Sequence, residues 1–472
     1  MMKDETSDLF DDQFAPEGYS LLISSLKSGD FHYFDVSEYE EFIDFLNAEG
    51  DFETSEKVIA QALSTHPDSI PLKIRYAQSL LNRGEPEQAR RELELLEDLE
   101  TGNLEVFLLL GNCYLMEENE KSAEVCFKKA IHLAGEELDD ILYNVGSSYI
   151  SFGDIQKAVG YFERSFAENP DNEYVLNDLG YFSDQMGFPE RSIYYYNLYL
   201  DIDPFNPAVW FNLGIAYNRT AQFEKALSAY DFTLALSDQF YHAIFNKANS
   251  LANLERYKEA IENYRTYVKF DAENDDAFCY MGECYLNMGR HRLAERFYAK
   301  ALKINPDNDI ALFSTGIICW ITKDYERSIS LMKKAISLEG ETAEYWFSYA
   351  RVLTDAGRGK EAMSAFKKAS ALNPGQADIW MQYAEYLHNQ GSIKEAIRIL
   401  KKGIRHNNKD AAIKYLLAAY LFETDEEKEA AFQLEKALKL DFNRHDDLFR
   451  VYPKAAQNDS VKKLIGSYKP LK

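Results

Sequence analysis

The sequence predicts an all-α protein built from a repeated pair of helices. The stretch from Pro207 to Phe240 shows the pattern most clearly, with apolar residues at helical spacing before and after a short turn. Stepping by 34 residues in both directions places twelve units in one register, and the third unit alone needs an extra residue, near 135–138. The units start at Val36, Ile70, Leu104, Asp139, Glu173, Pro207, Tyr241, Asp275, Asp309, Ala343, Ala377 and Ala411.

Two positions of the unit carry small residues almost throughout the chain. The eighth is Gly or Ala in every unit except the first, which has Ile43, and the twentieth is always Ala or Ser. Small side chains at fixed positions indicate that the two helices of a unit cross there at close range. Proline, which ends a helix, marks the thirty-second position of five units: Pro67, Pro170, Pro204, Pro306 and Pro374.

The unit starting at Pro207 also carries a specific motif. Trp210, Leu213, Gly214 and Tyr217 form W-x2-L-G-x2-Y, and Ala226 follows in the second helix. This pattern resembles the tetratricopeptide repeat, and the resemblance covers 36–444. It implies a right-handed superhelix, or solenoid, of antiparallel helix pairs whose first helices line a concave groove.

The two ends of the chain depart from the repeat. Residues 1–35 form an acidic segment, expected to be disordered to about residue 15 and to contain a short helix within 16–28. Residues 445–472 are net positive and are expected to form capping helices that cover the exposed apolar end of the array. The apolar residues expected to do so are Leu448, Phe449, Val461, Leu464, Ile465 and Tyr468.

Composition narrows the class of protein. A formal net charge of −26 argues against nucleic-acid binding, because phosphate contacts need clustered Lys and Arg, and favours neutral or basic protein partners over acidic ones. No run approaches 18 apolar residues, and the acidic N-terminus is unlike a secretory signal, so we expect no membrane insertion. Five cysteines without a C-x2-C pair indicate a reducing, cytoplasmic location without a disulfide framework.

No catalytic or cofactor motif is recognisable in the chain. It contains no G-x4-G-K-[ST], G-x-G-x2-G or H-E-x2-H, and no two histidines share a metal-ligand spacing. We therefore predict a protein that is not an enzyme and has no cofactor or metal. A weak catalytic site formed between two units remains an alternative.

The resemblance also implies which residues face the groove, because the second, fifth, sixth, ninth, twelfth and thirteenth positions line it in this family. At the sixth position, four consecutive units have Asn144, Asp178, Asn212 and Asn246. This row resembles the asparagine ladder in the repeats of O-linked N-acetylglucosamine transferase. An amide suits a peptide backbone because it both donates and accepts hydrogen bonds. The predicted peptide-binding groove contains Tyr143, Asn144, Asn177, Asp178, Phe211, Asn212, Asn218, Arg219, Phe245, Asn246, Asn249 and Asn253.

Two structural alternatives remain for these residues. The aromatic rings at the fifth position could pack against the neighbouring unit, and the asparagines could be solvated surface. Few cations fall at groove positions, which disfavours a clamp for acidic peptide ends.

The predicted function is a non-enzymatic scaffold that binds an extended or helical segment of a partner protein in its concave groove. The alternative is a structural element that self-assembles through its end caps or convex face, because an acidic front and a basic tail favour head-to-tail contact. An RNA-binding helical repeat is disfavoured by the charge.

Overall fold

A computed structural model describes residues 16–28, 32–99 and 102–469. The described residues form α-helices joined by turns and short 3-10 segments, and no β-strand occurs among them. The segment expected to be disordered, up to about residue 15, lies outside the described residues. The chain divides into two compact units, residues 1–237 and 238–472, called here the N-terminal unit and the C-terminal unit.

The N-terminal unit contains thirteen α-helices in its described residues. Helix α1 is the short helix expected within 16–28, and the others alternate as first and second helices of successive repeats. Their bounds are α1 Tyr19–Ser28, α2 Val36–Ala48, α3 Phe52–Thr65, α4 Ile70–Asn82, α5 Pro86–Leu99, α6 Leu104–Met116, α7 Glu120–Leu133, α8 Leu138–Ser151, α9 Ile155–Glu168, α10 Glu173–Gln185, α11 Pro189–Ile202, α12 Pro207–Arg219 and α13 Phe223–Leu236.

The first helices of this unit begin at the residues that the 34-residue register predicts, with one exception. Helix α8 begins at Leu138, one residue before the predicted Asp139, because a 3-10 turn over Gly135–Glu137 leads directly into it. Polar caps fix several of the other starts. Asn172 and Asn206, for example, each accept hydrogen bonds from two backbone N–H groups in the first turn of the following helix.

A ring from the second helix explains the glycine at the eighth position. A Cβ added to Gly146 would lie 2.5 Å from the Phe162 ring and 3.2 Å from the carbonyl oxygen of Ala158, at the twentieth position. Gly180 and Gly214 meet tyrosine rings at the same 2.5 Å distance. The close approach is therefore mainly that of a large side chain sixteen residues later, in addition to the backbone at the twentieth position.

The C-terminal unit continues the alternation and ends in shorter helices, with 3-10 segments at Phe442–Arg444 and Pro453–Gln457. All six of its first helices begin at the predicted residues. The bounds are α14 Tyr241–Asn253, α15 Tyr257–Tyr267, α16 Asp275–Asn287, α17 His291–Ile304, α18 Asp309–Ile321, α19 Tyr325–Leu338, α20 Ala343–Asp355, α21 Gly359–Leu372, α22 Ala377–Asn389, α23 Ile393–His406, α24 Ala411–Glu423, α25 Glu427–Leu440, α26 Asp446–Val451 and α27 Asp459–Ser467.

The C-terminal residues expected to cover the array pack against the hydrophobic core of this unit. Leu448, Val461 and Ile465 are buried in that core, and Phe449, Leu464 and Tyr468 are partly buried against it. Among the described residues, no helix combines the length and apolar character needed to cross a bilayer.

Candidate functional site

On the first helices of the N-terminal unit, Tyr143 and Asp178 contact each other. The Tyr143 hydroxyl donates to Asp178 Oδ2 at 3.1 Å, and Asn177 Nδ2 donates to the other carboxylate oxygen at 3.3 Å. Burial raises the pKa of Asp178, although both hydrogen bonds oppose the shift. The Tyr143 ring lies 5.4 Å from the Phe162 ring and 6.3 Å from the Tyr174 ring, so this aromatic side chain is largely used in packing.

The predicted polar residues on α12 also have partners inside the N-terminal unit. The Asn212 side chain opposes the rise that burial causes in the pKa of Tyr196, and Asn218 Nδ2 donates to the Tyr230 hydroxyl at 3.0 Å. Arg219 pairs with Asp184 at 3.0 Å. The side chains of Asn218 and Arg219 therefore help to order the repeats.

Phe211, on the same helix, is half-buried, with its ring centroid 6.1 Å from that of Tyr230. Its position matches that of Tyr143 in the fourth repeat. Both rings contact the second helix of their own repeat, and only the Tyr143 ring has a described contact, with Tyr174, of the kind that the neighbouring-unit alternative expects.

In the C-terminal unit, α14 carries the other four predicted residues. The Phe245 ring packs among Tyr264, Tyr267 and Tyr280, with centroid distances of 4.9 to 5.7 Å. Asn249 accepts from the Tyr264 hydroxyl.

The two remaining predicted residues of α14, Asn246 and Asn253, differ in their hydrogen bonding. Asn253 Nδ2 donates to the backbone oxygen of Asn249 at 2.9 Å. The Asn246 side chain makes no hydrogen bond to any other described residue and is half-buried.

A cavity on the first-helix face of the N-terminal unit lies among α4, α6 and α8. Its volume is about 660 Å³, and its lining combines apolar side chains with amides and hydroxyls. Of the twelve predicted site residues it includes Asn144 alone. The lining residues are Gln78, Leu81, Asn82, Leu104, Glu105, Leu108, Leu109, Asn112, Met116, Ile141, Asn144, Ser147, Ser148, Ser151 and Phe152.

Four carboxamides of this cavity are available to a ligand. The side chains of Gln78, Asn82, Asn112 and Asn144 make no hydrogen bond within the part of the chain that the structure describes. Asn112 Oδ1 is moreover buried without a partner there. That oxygen is shielded from the cavity, so a ligand would meet the Nδ2 side of the Asn112 carboxamide, which can donate a hydrogen bond.

The charged side chains beside this cavity are either acidic or already paired with an opposite charge. Arg75 lies 3.0 Å from Asp44 and 3.6 Å from Glu105, so its positive charge is already paired. Burial raises the pKa of the nearby Glu40 carboxyl, with Arg75 acting in the opposite direction. An acidic ligand would find no unpaired cation among the described lining residues.

The C-terminal unit has a smaller and more polar cavity of about 480 Å³ beside α14, α15 and α16. Asn249 and Asn253 line it together with Asn287, Tyr280 and Glu283. Burial, followed by the charge of Glu344, raises the pKa of Glu283.

Among the described residues, no group of three or more His, Cys, Asp or Glu side chains is placed so that it could hold a metal ion. The five cysteines are free and buried, and burial raises the thiol pKa of Cys113, Cys279 and Cys284 to about 12. Such thiols stay protonated and are poor nucleophiles.

Sequence reasoning missed the apolar part of the main cavity. Leu108, Leu109 and Met116 occupy the fifth, sixth and thirteenth positions of the third repeat, which the family resemblance already assigns to the groove. The asparagine ladder that the sequence predicts at the sixth position begins only in the fourth repeat, with Asn144. Applying the same positions to the second and third repeats would have found these residues.

Comparison with known proteins supports the repeat assignment. A family model described as the cilia and flagella-associated protein 70 C-terminal domain matches residues 238–451. Tetratricopeptide repeat models match residues 46–101, 139–172 and 195–228.

Individual relatives are distant. The TPR repeat-containing protein YpiA of Bacillus subtilis is 24% identical over 66% of this chain and 74% of its own length. Anaphase-promoting complex subunit 3 of Schizosaccharomyces pombe is 22% identical over 60% of this chain, and the match spans 42% of that protein, less than half its length. Among solved structures, the APC/C hetero-tetramer Cut9–Hcn1 matches 85% of this chain and 94% of its own with a TM-score of 0.42 and 14% identity.

Proposed function

Because the chain is a tetratricopeptide-repeat protein, we propose that it is a non-enzymatic scaffold that binds a partner protein on the first-helix face of its N-terminal unit. Tetratricopeptide repeats generally mediate protein–protein interaction. The observation that carries the proposal for this chain is the cavity of about 660 Å³ with its four unpaired carboxamides.

The chemistry of the cavity suits an extended or helical segment with one large apolar side chain. Leu81, Leu108, Met116 and Phe152 offer an apolar contact for that side chain. An extended backbone leaves N–H and C=O groups unpaired, and an exposed carboxamide such as that of Asn144 can both donate to and accept from them. Burial of an apolar side chain and amide pairing together give affinity without requiring a fixed sequence.

The partner segment is neutral or basic. The scaffold binds neither nucleic acid nor a membrane through this surface. Support comes from the paired state of Arg75 and from Glu105, which leave the cavity without a counter-charge for carboxylates or phosphates. We place the protein in the cytoplasm. The five buried cysteines form no disulfide bond, which is compatible with a reducing compartment.

Peptide selection followed by mutagenesis tests this proposal. The full chain selects ligands from a displayed random-peptide library, and fluorescence anisotropy then measures the dissociation constant of the best peptide. Replacing Asn112→Ala should weaken binding by about 3- to 10-fold, since a hydrogen bond contributes about 0.5–1.5 kcal/mol. Leu108→Ala should weaken it further, through lost apolar contact.

Asn197→Ala is the matched control. Asn197 is an exposed asparagine on the second helix α11, and its amide already bonds the backbone oxygen of Ile193. We expect this variant to bind like the parent protein. Equal affinities of the Asn112→Ala, Leu108→Ala and Asn197→Ala variants would refute binding at this cavity.

A further inference from the structure

Charge is divided very unevenly between the two units. The N-terminal unit has 16 Lys and Arg against 45 Asp and Glu, a net charge of −29. The C-terminal unit has 36 against 33, a net charge of +3. The excess of acidic residues therefore lies in the N-terminal unit, and the C-terminal unit has a slight excess of Lys and Arg.

These cations concentrate on the second helices of the C-terminal unit. Helix α17 carries Arg292, Arg296 and Lys303 at spacings of four and seven residues, which put all three on one side of the helix. Helices α21 and α23 carry Lys360 and Lys394 at the position of Arg292. Helix α19, between α17 and α21 in the chain, has Glu326 there, and that carboxylate is paired with Arg358. The basic face is defined here by six exposed residues that form no hydrogen bond or ion pair with any other described residue: Arg292, Arg296, Lys303, Lys360, Lys394 and Lys402.

Helix stability does not explain this placement. Arg292, Lys360 and Lys394 are each the second residue of their helices, where the macrodipole disfavours a positive charge. The same repeat position in the N-terminal unit shows the opposite preference. It carries the acids that a helix start favours in four of that unit's six repeats: Glu53, Glu87, Glu190 and Glu224.

The first repeat of the same chain has complementary chemistry. Residues 36–69 contain nine Asp and Glu and one cation, Lys57. Glu41 and Glu49 are exposed there and have no ion pair among the described residues. The net charge of −26 does not prevent two copies from meeting, because at physiological ionic strength charges beyond about 8 Å are screened and local complementarity dominates.

We propose that the basic face of one molecule binds the acidic first repeat of a second copy of this chain. The contact joins two different surfaces, so it is head-to-tail, and each added molecule leaves one free basic face and one free acidic repeat. Association by this route grows with concentration and weakens with salt. It is independent of peptide binding at the cavity on the first-helix face.

Light scattering on the full chain tests the proposal. At about 0.01 M ionic strength, where the Debye length is about 30 Å, the mass should exceed the 54.4 kDa monomer and rise with concentration. At about 1 M salt it should return to the monomer mass. A monomer under both conditions would overturn the proposal, as would a mass that salt leaves unchanged.

Charge reversal identifies the surfaces. The triple variant Arg292→Glu, Lys360→Glu, Lys394→Glu should be monomeric at low salt, and its melting temperature should not fall because Glu suits a helix start. The control variant Lys409→Glu, Lys454→Glu, Lys463→Glu makes the same change in net charge on exposed residues outside the basic face, and should associate like the parent. Equal association of both triple variants would refute the assignment.

A mixing experiment separates a specific contact from general charge attraction. The variant Glu41→Lys, Glu49→Lys should also be monomeric alone, yet it should associate when mixed with the reversed basic-face variant, because the two surfaces are complementary again. A mixture that stays monomeric would refute the pairing of these surfaces. A parent protein that becomes monomeric after nuclease treatment would assign the basic face to nucleic acid instead, and would overturn the proposal.

Discussion

The close contact between Gly146 and Phe162 yields a quantitative prediction for Gly146→Ala. The added Cβ would lie 2.5 and 2.7 Å from two ring carbons of Phe162, whereas carbon atoms at optimal separation are about 3.5–4.0 Å apart. The ring would therefore have to retreat by about 1 Å. Its own neighbours, the rings of Tyr143 and Phe182 at 5.4 and 6.1 Å between centroids, restrict that movement.

The expected change in unfolding free energy is the difference between two effects. Overpacking costs about 1–3 kcal/mol, while replacing Gly by Ala inside a helix contributes about 1 kcal/mol of stability. Gly146→Ala should therefore destabilise the protein by about 0–2 kcal/mol. The tenth repeat combines Ala350 with Phe366 at the same two positions, which shows that helix pairs can adjust and supports the lower half of this range.

Gly160→Ala is the matched control. Gly160 lies within α9 of the same repeat, and an added Cβ would meet nothing within 4 Å. This variant should be more stable than the parent by about 0.5–1 kcal/mol, through helix propensity alone. Urea unfolding followed by far-ultraviolet circular dichroism measures both variants, and equal stabilisation by the two alanines would refute the packing argument.

Two further predictions concern stability. Trp210→Phe removes the indole N–H that donates to the Pro204 carbonyl at 2.8 Å while a ring remains to stack on Phe232, so it should cost about 0.5–1.5 kcal/mol in the same urea assay; no loss would show that the bond does not contribute. Burial raises the pKa of Asp178 in the folded state. The stability that protonated Asp178 contributes is therefore present below its unfolded pKa of about 3.9 and is lost as pH rises through the folded value. Asp178→Asn should therefore raise the melting temperature more at neutral pH than in acid, and a uniform shift, or one matched by the exposed Asp201→Asn, would contradict this.

Most of the fold could be predicted from the sequence because the repeat constrains it many times over. A 34-residue step with small residues at two positions leaves little freedom in where each first helix begins. The start of α8 was missed by one residue because the extra residue near Gly135 lies in a turn, where periodicity carries no information. The ring that covers Gly146 was also missed, since a small residue in a sequence does not show which side chain it makes room for.

The candidate site was less predictable because hydrogen-bond partners depend on geometry across helices. Asn218 and Asn249 occupy groove positions, but each bonds a tyrosine hydroxyl twelve or fifteen residues away. Asn112 has the same residue type and keeps an unpaired amide oxygen. Spacing alone does not distinguish an asparagine that orders the repeats from one that is open to a ligand.

Photo-crosslinking tests binding at the cavity most directly. A benzoylphenylalanine replaces Phe152, which lines the cavity and is 41% exposed, or Val125, which is 54% exposed on the second helix α7. The labelled peptide selected by the full chain should crosslink from position 152, should be displaced by excess unlabelled peptide, and should not crosslink from position 125. Crosslinking from 125, or none from 152 at a saturating peptide concentration, would contradict the account.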